Sequence, residues 1–123
     1  MKNKLTIVGK YDEKFNAYLP YNIKSSDIYQ SSGLEKHILK RHPDCIKYLE
    51  LIPYILANPD YIGVNPNEKH ISFEIVKCIS ENIQLGIKLD SKDTYLYVAT
   101  LHTITASKLK HGIQNGRLKK FDK

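Results

Sequence analysis

The chain has 123 residues, of which 41% are hydrophobic and 26% are charged, so it can form one small domain with a single core. The formal net charge is +6, which favours an anionic partner, and no apolar run approaches the roughly 20 residues that a membrane span needs. The basic start has only a short apolar stretch, so we expect no signal peptide and a cytoplasmic protein. Two cysteines, Cys45 and Cys78, are too few for a zinc quartet, and we expect both to be reduced.

The first third of the chain predicts a strand, a polar connection and a helix. Residues 5–9 favour a short strand, and the Tyr-rich stretch 11–30 favours loop and extended structure. The S-x-x-E pattern at 32–35 is a capping box that predicts the start of a helix. This helix should end near Arg41, because Pro43 disfavours helical dihedral angles at the residue before it.

A second helix is expected from Pro43, which suits a first helical turn. Its apolar face contains Ile46, Leu49, Leu51, Ile52, Ile55 and Leu56. Pro53 predicts a break or kink within this helix, and Asn58-Pro59-Asp60 predicts a closing turn.

The period then changes to that of strands. Residues 71–75 and 83–89 alternate apolar and polar side chains, and 95–103 is rich in aromatic and β-branched residues. Residues 61–64 are a candidate fourth strand, and a turn is expected at 90–93. Short connections of this kind indicate an antiparallel meander.

The C-terminal part predicts one more helix, capped by Thr105 and stopped by Gly116, followed by a loose tail at 119–123. The expected fold is therefore α+β, with N-terminal helices packed on a three- to four-stranded antiparallel sheet and a C-terminal helix. The other face of the sheet should be partly open, with outward side chains such as Lys88 available to a ligand.

The densest group of candidate catalytic residues lies at the end of the first helix. His37 and Arg41 are four residues apart and share a helix face, whereas Pro43 releases His42 from the helical phase. Histidine can serve as base or acid near neutral pH, and arginine can stabilise a pentavalent phosphorane in RNA cleavage, where the 2′-hydroxyl is the nucleophile. The alternative is a pair of surface or capping histidines.

A second group follows the last predicted strand. Thr103 and Thr105 can donate hydrogen bonds to a phosphate, and Lys108 adds positive charge in the first turn of a helix. Since lysine is unfavourable at a helix N-terminus, its presence there favours a bound anion. Arg117 can also reach a phosphate. The alternative is that Thr105 only caps the helix and Lys108 is solvated.

Other site types lack their motifs. The sequence contains neither G-x-x-x-x-G-K-[ST] nor G-x-G-x-x-G, so nucleotide-binding loops are not expected. His37 and His42 do not form an H-E-x-x-H zinc pair, and paired acidic residues for a two-metal nuclease are sparse. We therefore expect neither a metal nor a cofactor.

Segments 34–44, 48–63, 95–101 and 108–118 together resemble the phage-borne barnase–EndoU–colicin–RelE-like nuclease families (PBECR). The resemblance covers roughly residues 28–118 and implies one nuclease domain over 1–123, encoded by a bacterium or a phage. It also implies a metal-independent RNase that leaves a 2′,3′-cyclic phosphate. By this resemblance His37 and His42 are the catalytic candidates, with Arg41, Thr103 and Lys108 in support.

The leading hypothesis is thus an endoribonuclease acting on RNA, with tRNA among the candidate substrates. Residues expected to bind this substrate are Lys36, Lys40, Thr105 and Arg117. An alternative is a non-catalytic nucleic-acid-binding module that uses the same basic surface. A further alternative is a protein-interaction module, in which an acidic immunity or antitoxin protein covers the basic face.

Overall fold

The computed structural model describes residues 4–90, 92 and 95–122, which form a mixed α+β fold around a seven-stranded sheet. The strands in chain order are β1 (Leu5–Tyr11), β2 (Ser26–Ser31), β3 (Tyr61–Gly63), β4 (Ser72–Cys78), β5 (Asn82–Leu89), β6 (Leu96–Ile104) and β7 (Leu118–Lys120). The helices are α1 (Gly33–Arg41), α2 (Ile52–Ala57) and α3 (Ala106–Gln114), with 3-10 helices at Glu13–Tyr18 and Pro43–Leu51. The strand order across the sheet is β1-β2-β6-β5-β4-β3-β7.

The sheet is larger than predicted, and the fold does not begin with helices. β1 and β2 precede α1, and β2 joins β6 in parallel through Ile28 and Tyr29. The prediction of a three- to four-stranded sheet with N-terminal helices was therefore wrong. β2 was not predicted from the sequence because Ile28 is the one buried residue of this strand, so the strand has too few apolar positions to show alternation.

α1 ends where predicted but begins without the expected capping box. Ser32 is the N-cap, yet its side chain makes no capping hydrogen bond and instead accepts one from the backbone N–H of Lys4 at 3.1 Å. The helix ends at Arg41, and His42 has the non-helical dihedrals φ −143° and ψ 63°. This confirms the effect of the following proline on the helix end.

The predicted second helix is in fact a 3-10 helix followed by a short α-helix. Pro53 lies in the first turn of α2, where backbone N–H groups have no hydrogen-bond partner within the helix. Its lack of an N–H therefore costs nothing there, and Pro53 marks the start of this helix. The apolar face was predicted correctly, since Ile52, Ile55 and Leu56 are all buried.

The predicted strands of the meander are confirmed. β3, β4, β5 and β6 pair antiparallel in chain order, and Thr105 caps α3 through its side-chain oxygen. Gly116 follows α3 with a φ of +82°, which suits glycine after a helix end. The turn expected at 90–93 includes Ser91 and Asp93, which lie outside the described residues.

The C-terminal segment is a strand rather than a loose tail. β7 pairs with β3, and the buried Phe121 packs edge-on against Phe15 with ring centroids 5.1 Å apart. The prediction of a loose tail was therefore wrong. Lys119 and Lys120 made the segment look polar, although Leu118 and Phe121 on either side of them are buried. Lys123, the last predicted tail residue, lies outside the described residues.

The sheet has two faces with different roles. Ile75, Leu85 and Leu101 face the main core, which also contains the buried side chains of α1, α2 and both 3-10 helices. Because side chains alternate along a strand, Gln84 and His102 face the other way. α3 lies on this second side, so the space between α3 and the sheet positions the candidate site.

Candidate active site

A cleft of about 490 Å³ lies between α3 and the second face of the sheet, and we call it the α3 cleft. Its lining residues are Gln84, His102, Ile104, Ser107, Lys108, His111, Gly112, Asn115, Arg117 and Leu118. Polar and cationic side chains predominate in this set, as expected for a site that binds an anion rather than an apolar ligand.

His102, which lines this cleft, meets a histidine from a distant part of the chain. The rings of His42 and His102 stack with centroids 5.3 Å apart and an angle of 23° between their planes. His102 lies on β6 directly opposite Gln84 of β5. His42 reaches it because the residue before Pro43 leaves the helical conformation and follows the end of α1 towards the sheet.

The environment of His102 favours the neutral imidazole. Burial is the main cause that lowers the pKa of His102 below its ordinary value of 6.5, and repulsion from His42 and Lys108 lowers it further. A histidine that stays neutral near pH 7 has a free ring nitrogen and can accept a proton. His42, in contrast, is exposed, so the stack consists of a partly buried imidazole and a solvent-accessible one.

Lys108 and His111 extend the cleft along α3. Thr105 caps the helix by accepting a hydrogen bond from the backbone N–H of Lys108 at 3.1 Å. This bond fixes the first turn, whose Lys108 and Ser107 line the cleft, and His111 follows one turn later. As predicted from the sequence, a lysine stands where the helix N-terminus already favours negative charge.

The far wall of the cleft is a connected polar network. Arg117 donates through Nε and Nη2 to the two carboxylate oxygens of Glu74, at 3.0 and 2.8 Å. Gln84 donates through Nε2 to Glu74 Oε2 at 2.9 Å. Because a carboxylate only accepts, it fixes the amide orientation and leaves Gln84 Oε1 as an acceptor. Gln84 is 8% exposed and lines the cleft beside His102.

Replacing Glu74 by alanine should lower the free energy of unfolding by about 1–2 kcal/mol, because it removes the partner of Gln84 and of half-buried Arg117. Urea denaturation at neutral pH measures the change. Glu68→Ala is the matched control, since its contact with Lys88 is loose, at 3.9 Å, and should contribute little. Equal stabilities of the two variants would show that the Glu74 network does not hold this wall together.

His37 lies in a groove separate from the α3 cleft. It lines a groove of about 370 Å³ with Ser31, Gly33, Leu34, Lys88, Tyr97, Val98, Ala99 and Thr100, which we call the His37 groove. Both grooves open on the same side of β6, because Thr100 and His102 are two residues apart on one strand. The structure therefore brings His42 to His102 and leaves His37 in a groove with Lys88.

The remaining predicted site residues have different surroundings. Thr103 pairs with Ile83 on the opposite face of β6 from His102 and does not line the α3 cleft. Arg117 lines the cleft, but two of its nitrogens are occupied by Glu74. Lys36, Lys40 and Arg41 are among the exposed side chains of α1, and they make the helix before His42 basic.

Sequence reasoning missed His102, Gln84 and Glu74 as members of the site. Glu74 and Gln84 each lie between two buried apolar residues, and His102 follows the buried Leu101, so the pattern indicates which face each occupies. The pairing of Gln84 with His102 depends on strand register, which includes a bulge after Gly86. The sequence therefore indicates the face of the sheet on which these residues lie, but it does not indicate that they contact one another.

Within the described residues, no group of three or more His, Cys, Asp and Glu side chains is arranged to hold a metal ion. None of the helices that the structure describes has the length and apolar character to cross a membrane.

Comparison with protein families agrees with the chemistry of the cleft. Residues 6–111 match the sequence model of PBECR3, described as phage-Barnase-EndoU-ColicinE5/D-RelE like nuclease3. No curated protein and no solved structure matches the chain significantly. The family match covers most of the chain, including α1, β6 and the start of α3, and it supports a nuclease function. The chain therefore belongs to the PBECR3 family of phage-Barnase-EndoU-ColicinE5/D-RelE like nucleases.

Proposed function

We propose that the protein is a metal-independent endoribonuclease that cleaves RNA in the α3 cleft. The observation that carries this proposal is the stack of His42 on the partly buried His102, next to Lys108. RNA contains its own nucleophile, the 2′-hydroxyl, so the protein needs only a base, an acid and positive charge near the phosphate. The cleft supplies His102 and Lys108, and His42 stacks on His102 beside them.

His102 is the base in this proposal, because its lowered pKa keeps it neutral near pH 7. It accepts the proton of the 2′-hydroxyl while the 2′-oxygen bonds to phosphorus. His42 is the acid, since it is exposed to solvent and can be reprotonated between turnovers. It donates a proton to the leaving 5′-oxygen as the P–O5′ bond breaks. The products are a 2′,3′-cyclic phosphate and a 5′-hydroxyl.

The negative charge of the phosphorane is stabilised from the α3 side. Lys108 supplies a full positive charge, and Arg117 retains N–H groups that Glu74 does not use. Gln84 Oε1 is an acceptor beside His102, where it suits the hydroxyl of the attacking ribose. Arg41, Lys36 and Lys40 attract the polyanion to this side of the molecule.

The proposed base predicts the acid limb of the pH profile. The neutral fraction of His102 falls as pH drops through its pKa, which is lowered, so the midpoint of the decline in kcat/KM should lie below pH 6.5. NMR titration of the His102 ring measures the pKa directly. In Lys108→Gln this pKa should rise but stay below 6.5, because burial, its largest cause, remains. Titration of His102 above pH 6.5 in the unaltered protein would contradict its role as the neutral base.

The proposal is tested by incubating purified protein with tRNA and with mRNA in EDTA and mapping the product ends. We expect cleavage, with 2′,3′-cyclic phosphate and 5′-hydroxyl termini. Cleavage that needs a divalent metal, or products with 5′-phosphates, would overturn the mechanism. Salt-dependent binding without any product would instead favour a non-catalytic binding module.

A further inference from the structure

The face of the sheet that bears His102 continues past the α3 cleft. Three cross-strand pairs of β5 and β6 lie along it in order: Gln84 with His102, Gly86 with Thr100, and Lys88 with Tyr97. The first pair belongs to the α3 cleft, and the last pair lines the His37 groove. The two grooves are thus consecutive along one strand pair.

Gly86 lies between the two grooves and keeps the surface between them low. A Cβ at this position would lie 2.5 Å from Thr100 Oγ1, so the Thr100 hydroxyl occupies the space into which a side chain at residue 86 would point. Thr100 therefore covers the backbone of Gly86, and no large side chain rises from either strand at this pair. An extended ligand can pass from one groove to the other over this pair.

The His37 groove has the charge to bind a phosphate. His37 is exposed on α1, and Lys88 reaches the groove from β5. Lys88 Nζ lies 3.9 Å from Glu68 Oε2, which is too far for a hydrogen bond, so this ion pair does not use any of the three Lys88 donors. Thr100 adds a hydroxyl on the side that faces the α3 cleft. These groups suit an anion better than an apolar ligand.

The same groove ends on an aromatic cluster. The ring centroids of Tyr97 and Tyr95 are 5.9 Å apart, and those of Tyr95 and Tyr29 are 5.7 Å apart. Tyr29 is also the strand partner of Tyr97 across β2 and β6. All three rings are half-buried, and Tyr97 lines the groove, so it presents one aromatic surface beside the cationic groups. Cations beside an aromatic surface are the chemistry that binds a single-stranded nucleotide.

We infer that the His37 groove binds a flanking nucleotide of a single-stranded RNA whose scissile phosphate lies in the α3 cleft. The base of this nucleotide stacks on Tyr97, and its phosphate lies near Lys88 and His37. This inference rests on the proposed function and adds the substrate class: an unpaired strand long enough to span both grooves. A duplex is excluded because its bases are stacked on each other and cannot reach Tyr97.

Binding tests the inference without catalysis. The probe is a single-stranded DNA oligonucleotide of about ten nucleotides, which lacks the 2′-hydroxyl and spans a typical single-strand site. Fluorescence anisotropy should show that Tyr97→Leu weakens binding roughly tenfold, as for the loss of one stacked base. Tyr54→Leu is the matched control, because Tyr54 is an exposed tyrosine of α2 that lines neither groove, and its affinity should be unchanged.

Lys88→Gln is a second variant that leaves the aromatic cluster intact. It should weaken binding and reduce the salt dependence by about one phosphate contact. If Tyr97→Leu and Lys88→Gln both bind the oligonucleotide as the unaltered protein does, the groove has no role in binding and the inference is wrong. Preferential binding of a duplex of the same sequence would also overturn it.

Cleavage assays distinguish a failure of this inference from a failure of the proposed function. On an RNA of about ten nucleotides, Tyr97→Leu should lower kcat/KM roughly tenfold, whereas on a dinucleotide it should change nothing. A variant as active as the unaltered protein on both substrates would contradict the inference and leave the nuclease assignment intact. If the unaltered protein cleaves neither substrate, the proposed function fails, and the anisotropy experiment still decides whether the groove binds a single strand.

Discussion

His102→Ala should lower kcat/KM for RNA cleavage by about 10²- to 10⁴-fold, because it removes the proposed base. The variant should fold, since His102 is half-buried and faces the cleft rather than the main core. Steady-state cleavage of one fluorescent RNA oligonucleotide measures the activity, and circular dichroism confirms that the fold is retained.

His70→Ala is the control for this experiment. His70 is an exposed histidine before β4 that lines neither groove, so its replacement should leave cleavage unchanged. His42→Ala should lower activity in the same direction as His102→Ala, because the acid acts in the same step. A folded His102→Ala variant with undiminished activity would remove this imidazole from the mechanism.

Gly63→Ala should lower the free energy of unfolding by about 4 kcal/mol or more, a loss typical of substitutions that create a severe steric conflict. Gly63 lies on β3 between β4 and β7. A Cβ here would lie 2.8 Å from the carbonyl carbon of Arg117 and closer still to its oxygen. This neighbour is backbone and cannot rotate away, so β7 must move. Because β7 follows Arg117, the same change should also disturb the Glu74 network and lower cleavage.

Gly86→Ala is the matched glycine substitution. Its Cβ would meet a side-chain hydroxyl, Thr100 Oγ1 at 2.5 Å, which can rotate, so the expected loss is about 1 kcal/mol. Urea denaturation of both variants gives the comparison. Gly63→Ala within 1 kcal/mol of the unaltered protein would show that β7 is not held against β3 as the structure has it.

Prediction from sequence succeeded where the period of the pattern was long and clear. Residues 71–75 and 83–89 alternate apolar and polar side chains, β6 is rich in aromatic and β-branched residues, and α3 has both a cap and a glycine stop. It failed where tertiary contacts decide the structure. β2 is a strand because β1 and β6 pair with it, and β7 is a strand because Phe121 anchors it to Phe15. Neither cause is visible in a local window.

The sequence indicated which elements contribute residues to the site, but it did not indicate which of these residues contact one another. The end of α1 and the start of α3 were identified as the sources of His42 and Lys108; Lys108 lines the α3 cleft, and His42 stacks on His102, which also lines it. From the sequence, His42, released from the helical phase by Pro43, was expected to act together with His37. Instead His42 meets His102, which was visible in the sequence only as one polar residue of a strand. Recognising this contact requires the packing of α1 beside β6.

The central claim is that the 2′-hydroxyl of the substrate attacks the phosphate held at His42 and His102. It is tested most directly with two RNA oligonucleotides that differ only in one 2′-deoxy substitution, placed on the ribose 5′ to the mapped cleavage site. In EDTA, we expect the all-ribose oligonucleotide to be cut to a 2′,3′-cyclic phosphate and the substituted one to stay intact at that position. Cleavage at the same position in both oligonucleotides would contradict the claim, because the nucleophile would then have to come from elsewhere.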